Sequence, residues 1–269
     1  MIKVVEIKRL DELMPLMTEQ NYRPDIGRHR SMYIYRGITN ADFKMETSLY
    51  RNCKQLQANL EPAILNNFTK YAVIEDPSVE GSVWTQMVLG QHYGLPTRLL
   101  DWTHSALIGL HFATSEDNMD MMDDHDCAVW RIDMPEIHSL LPSEYKRVLN
   151  ESTTDIFSVK TLSRVTESLK QYDEDMKDCA MVIVEPPSIE QRIVNQYSFF
   201  SIVPMGISDV ESFLDRYTDN TVKYVISGRL RWRIRDMLDQ LNVSERIMYP
   251  GLDGLSKWIA RHYFVKNRL

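Results

Sequence analysis

Arg36 lies near the end of an otherwise apolar run, residues 32–38, and is followed by Gly37. A guanidinium in that position must reach solvent or meet an anion, and its planar fork of donors suits phosphate. Gly37 lacks the side chain that would keep a ligand off the backbone. A carboxylate partner for Arg36 beside a turn glycine accounts for the same two residues without any ligand. Further on, residues 91–102 bring together Gln91, His92, Tyr93, Gly94, Pro96, Thr97, Arg98, Asp101 and Trp102, just before a nearly all-apolar stretch, 105–113. Thr97 and Thr103 offer hydroxyls, Arg98 a cation, His92 and Tyr93 polar-edged rings, and Asp101 a carboxylate. These are the materials for holding a polar ligand and for acid–base work. A structural account has Asp101 capping the next helix or pairing with Arg98, and His92 satisfied in the core. Nearer the C-terminus, Arg229, Arg231, Arg233 and Arg235 with Trp232 make a basic and aromatic cluster. It suits phosphate contact and base stacking, or else a solvated helix face whose arginines offset neighbouring acids.

The elements that carry these residues follow from spacing. The pattern predicts a strand from Val4 that turns into a helix near Leu10, with Asp11 as its cap, then a strand over 32–38 and a loop over 40–52. Helices are expected over 56–71, 83–90 and 105–113, the second ended by Gly90 and followed by a turn or extended segment at 94–98, because Pro96 disfavours a helical Leu95. Residues 127–132, 181–184, 197–203 and 222–227 read as strands, and 143–149, 161–176, 208–217, 230–241 and 253–263 as helices. The acidic, Met-rich stretch 116–126 reads as an exposed loop, and its Asp123, Asp124, His125 and Asp126 lack the glycine and closing glutamate of a calcium loop. No metal site is expected. Over 269 residues, 43% hydrophobic and 26% charged residues make a sizeable core, with roughly 75% of the unfolded surface buried at this size. The net charge of −7 disfavours a generally basic nucleic-acid surface while leaving room for a local basic cleft. Cys53, Cys127 and Cys179 are odd in number and far apart, which fits buried thiols. With no long apolar span and no secretory leader pattern, a cytoplasmic protein away from membranes is expected.

Two further runs, 192–196 (Arg-Ile-Val-Asn-Gln) with Phe199 or Phe200, and 249–255 (Tyr-Pro-Gly-Leu-Asp-Gly-Leu), complete a pattern. Together with Tyr35-Arg36-Gly37 and 91–103 it resembles the FRG domain family, so the chain reads as one FRG-type domain over 1–269 with its motif-bearing core at about 30–255. The motif order is similar to that of ADP-ribosyltransferases. That resemblance implies an α+β fold around a split β-sheet with surrounding helices, and an enzyme that cleaves NAD, with NAD as substrate and no metal. It assigns Arg36 to the NAD phosphates or a ribose and the Gly37 backbone to the nicotinamide carboxamide, with Tyr35 in the cofactor-binding set. Thr97 or Thr103 would line the ribose, and Tyr93 or Trp102 would stack on the nicotinamide ring, with His92 and Arg98 in the same binding set. Gln196 occupies the late catalytic position, where the family plan has a glutamate or glutamine. An amide cannot serve as a carboxylate base, so Glu185, Glu190 and Asp101 stand as candidates for that role.

Function hypotheses follow from the same resemblance. The first is an ADP-ribosyltransferase toxin or defence effector, of bacterial or phage-related type, acting on RNA or protein and restrained by an inhibitory antitoxin partner. An NAD glycohydrolase uses the same pocket with water as acceptor. A non-catalytic nucleotide- or nucleic-acid-binding module would use Arg36, Arg98 and the aromatic residues alone.

Overall fold

The computed structural model describes residues 1–152, 154–188 and 190–266, so the end of the expected 1–269 domain lies outside the described residues. Its architecture is mixed α+β, with a large sheet flanked by helices. The strands are β1 Lys3–Ile7, β2 Asn21–Arg23, β3 Arg28–Arg30, β4 Tyr33–Ile38, β5 Leu99–Thr103, β6 Cys127–Asp133, β7 Phe157–Ser158, β8 Val182–Glu185, β9 Ser198–Ile202 and β10 Val222–Ile226. β2 and β3 pair with each other; the rest form one sheet in the order β1-β10-β6-β4-β5-β9-β8-β7. The outermost pairings, β1–β10 and β7–β8, are parallel and the inner ones antiparallel. No helix among the described residues is long and apolar enough to cross a membrane.

The sheet has one weak seam. β4 pairs with β6 along its whole length, from Tyr33↔Asp133 to Ile38↔Ala128, and β5 pairs with β9 from Leu99↔Ile202 to Thr103↔Ser198. Between β4 and β5 the only register pair is Tyr35↔Thr103. β5 ends there because Ser105 caps the next helix, Ala106–Ala113, by accepting from the Ile108 N–H.

Side-chain alternation shows what each face does at that seam. On one face Ile34, Leu100, Trp102, Trp130, Ile183 and Phe199 belong to a single apolar cluster that crosses it. The opposite face carries two clusters. Tyr33, Tyr35, Val129 and Tyr224 pack with Leu110 of the Ala106–Ala113 helix and Ile234 of the Arg231–Gln240 helix. Leu99, Val182, Val184 and Phe200 pack with Trp84 of the Val83–His92 helix and Tyr172 of the Leu169–Met176 helix. The seam is therefore sealed from one side and open between two helical covers on the other.

Several expected elements shift for local reasons. The helix expected over 83–90 continues to His92, and Gly90 lies inside it; a Cβ there would meet Leu95 Cδ2 at 2.6 Å. Gly94, at φ +83°, makes the turn instead. The helix expected over 161–176 breaks into Val159–Leu162 and Leu169–Met176, the latter restarted by a Ser168 cap. A short helix, Ser48–Cys53, capped by Thr47, replaces part of the expected 40–52 loop. Asp11 is inside the first short turn and pairs with Arg9 instead of capping it. Of the cysteines only Cys127 is buried, and burial pushes its thiol up to about 12; Cys53 and Cys179 are half-buried.

Candidate functional site

The open side of the seam is a cavity of about 420 Å³, within the size range of small-molecule sites. Arg36 and Gly37 border it from β4, Asp101 and Thr103 from β5, Gln196 and Ser198 from the entry to β9. Tyr249, Arg192 and Phe112 complete the wall. Three stretches distant in sequence thus meet because β4, β5 and β9 are neighbours in the sheet.

Arg36 is, with Arg192, one of two arginines that border this cavity. Its Nη1 donates to the Asp101 carbonyl at 2.7 Å, taking an acceptor next to the place where the ladder stops, and lies 3.7 Å from the Asp101 carboxylate. Its Nε is buried and has no partner among the described residues. Burial holds the guanidinium below its ordinary value, and the Asp101 charge only partly offsets this. Arg36 stays cationic at neutral pH and is short of negative charge, which is the condition of a group ready to receive an anion.

Asp101 is held by an ordered chain of donors. The Leu99 N–H donates to Thr97 Oγ1 at 3.1 Å, the Thr97 hydroxyl donates to Gln91 Oε1 at 2.6 Å, and Gln91 Nε2 donates to Asp101 Oδ2 at 2.8 Å. Each direction forces the next, so the carboxylate receives the amide as an acceptor. Gln196 is tethered too: its Nε2 donates to the Met248 carbonyl at 3.0 Å, and its own carbonyl accepts from Thr103 Oγ1 at 2.7 Å.

The remaining expected residues divide. Gly37 borders the cavity, but its lack of a side chain serves packing: a Cβ would lie 2.2 Å from the Gly109 carbonyl oxygen and 2.3 Å from the Ala113 nitrogen. The helix backbone occupies the space that had been reserved for a ligand. Tyr35 borders the cavity as well and is otherwise buried in the apolar cluster beneath that helix, where burial raises its phenol to about 12. Thr103 is almost fully buried, its hydroxyl committed to Gln196 and to the Ser105 N–H. Trp102 also borders the cavity, while its ring packs in the continuous cluster on the sealed face and its Nε1 donates to Ser201 Oγ at 3.0 Å.

Thr97, Arg98, His92 and Tyr93 lie outside the cavity wall. Arg98 is buried and fully paired, with Nε 2.8 Å from Glu61 Oε1, a second contact to Glu61, and Nη1 2.6 Å from Asp173 Oδ1. Those carboxylates outweigh burial and raise its pKa. His92 and Tyr93 both bind the Glu190 carboxylate, Tyr93 at 2.8 Å, and lower its pKa, the His92 bond having the larger effect. Glu190 faces a neighbouring open cleft of about 740 Å³. Glu185 ends β8 exposed and borders neither space.

The arginine cluster divides: Arg229 and Arg233 are exposed, as a solvated face requires, whereas Arg231 and Arg235 are almost fully buried and unavailable to a nucleic acid. Arg231 donates to the Ser115 carbonyl at 2.9 Å and pairs with Glu116; Arg235 donates to His111 and pairs with Glu245. Trp232 stacks on Phe264 at 5.3 Å.

Gln91, Arg192 and Tyr249 carry parts of the site to which the sequence alone assigned no role. All three stand inside motifs legible in the sequence, which was the available signal. Among the described residues no group of three or more His, Cys, Asp or Glu is arranged to hold a metal ion. No curated protein and no solved structure matches the chain. Residues 31–121, which contain β4, β5, Arg36–Gly37 and the Gln91–Asp101 stretch, match the family model for the FRG domain, and the chain carries an FRG domain.

Proposed function

We propose that the chain is an ADP-ribosyltransferase that binds NAD in the seam cavity, cleaves its nicotinamide–ribose bond and passes ADP-ribose to RNA or protein. The observation that carries this reading is the meeting of Arg36, Asp101 and Gln196 around one cavity of nucleotide-binding size. Arg36, buried at Nε without a partner, suits an NAD phosphate. Bond cleavage develops positive charge on the ribose, and the oriented Asp101 carboxylate opposes that charge from a fixed position. In this reading Asp101 also acts as the base for the acceptor, because Gln196 supplies only an amide. Gln196 then serves to orient the ribose. As a toxin or defence effector, a reading that rests on the family resemblance, such an enzyme in the cytoplasm would require an inhibitory partner.

Arg36→Ala is expected to abolish NAD binding and transfer; NAD turnover at the wild-type rate by that variant refutes the phosphate clamp. Incubation with labelled NAD and a cell lysate separates the reactions. Label fixed on RNA or protein supports transfer, and free ADP-ribose alone makes the protein a glycohydrolase. A second reading, nucleotide binding without catalysis, is favoured by the amide at Gln196, and intact NAD together with a raised melting temperature would establish it.

A further inference from the structure

Tyr249 borders three adjoining spaces: the Arg36 cavity, the open cleft that holds Glu190, and a third cavity of about 320 Å³. Two cations flank its ring, the Arg192 guanidinium at 5.0 Å from the centroid and the Lys257 ammonium at 5.9 Å. Arg192 borders both the Arg36 cavity and the cleft, and Lys257 both the cleft and the third cavity. Neither forms an ion pair among the described residues, and several carboxylates around these spaces are engaged elsewhere. Glu190 is held by His92 and Tyr93, Glu245 by Arg235 and Arg261, and Glu116 pairs with Arg231. The remaining cleft carboxylate, Asp253, is exposed in the first turn of the Leu252–His262 helix, where the helix N-terminus favours an acid.

We infer that Arg192, Tyr249 and Lys257 form a second anion subsite, continuous with the Arg36 cavity, that takes the outer phosphate of a diphosphate. This rests on the NAD reading for the identity of the whole ligand, and on the unpaired cations for the subsite itself. A guanidinium and an ammonium beside a phenol provide the donors a phosphate needs. Burial raises the Tyr249 phenol above its ordinary value, so it remains a protonated donor at neutral pH. A mononucleotide would fill only one of the two positions; a diphosphate-bridged nucleotide spans both.

Calorimetric titration with inorganic pyrophosphate and with ADP-ribose tests this. The exposed double variant Arg192→Gln/Lys257→Gln is expected to melt like the wild type and to bind both probes about tenfold more weakly or worse. Tyr249→Phe, which keeps the ring, is expected to lose about threefold. If the double variant binds both probes normally while Arg36→Ala does not, the subsite is refuted and the NAD reading stands. If pyrophosphate binds in an Arg192-dependent way but NAD and ADP-ribose do not, the subsite stands and the NAD reading falls. Wild-type protein that binds neither probe overturns both.

Discussion

Arg36 and Arg98 lie on or beside adjacent strands of the same sheet and have opposite fates. Arg98 is enclosed by Glu61 and Asp173, and its charge is more than matched: its pKa is raised despite burial. Arg36 has one backbone carbonyl, a carboxylate at 3.7 Å and an unpartnered Nε, and its pKa is lowered. Arg98 is saturated by the fold, whereas Arg36 keeps a donor unspent beside a cavity. The direction of the shift follows the balance of burial against nearby carboxylates, and the structural Arg235 is lowered too, so the cavity and not the pKa sets Arg36 apart.

The sharpest way to break this comparison is to delete both cations. Arg98→Ala leaves Glu61 buried without its counter-charge and is expected to destabilise the protein by about 3–5 kcal/mol in denaturant titration. Arg36→Ala is expected to cost about 1 kcal/mol at most, since it removes one hydrogen bond to a carbonyl. Equal losses would erase the distinction.

Neutral buried bases extend the contrast to pH. Burial lowers His111 to about 3, with Arg235 and Arg261 adding to the effect and Glu245 opposing it, and lowers His138 to about 4. Arg235 can only donate to His111 Nδ1, which fixes the neutral tautomer. Both folded values lie below the unfolded value near 6.5, so the unfolded chain binds more protons in between. Stability is then fully present above about pH 6.5 and falls as pH drops toward 4, by up to about 1.4 kcal/mol per pH unit for each histidine. Denaturant midpoints measured from pH 8 to 4 check this, and a flat profile would contradict it.

A smaller effect separates packing from binding at the cavity itself. Gly37→Ala forces a methyl against the Gly109 and Ala113 backbone and is expected to destabilise by about 1–3 kcal/mol, read as a lower melting temperature. Unchanged stability with lost ligand binding would return Gly37 to a purely ligand-facing role.

The strands that build the site were legible because their apolar runs are short and bounded: residues 32–38 and 197–203 contain β4 and β9. The seam was not legible, since the pairing of β4 with β6 instead of further along β5 is a matter of long-range register. Residue types singled out Arg36 and Asp101, while Gln196 was joined to them only by the family resemblance. They misread Arg98 because its partners lie 37 and 75 positions away, and Arg235 because His111 is 124 positions distant. A local window sees a charge but not what neutralises it. The glycines mislead for the same reason: the neighbour that requires Gly37 is a helix encoded much later in the chain.

Past Tyr35 and Thr103 the facing edges of β4 and β5 lack register pairs, and the Asp101 carbonyl receives its hydrogen from Arg36. Arg36 thus bridges the two strands where their backbones part, so one side chain both borders the cavity and ties the sheet across its seam.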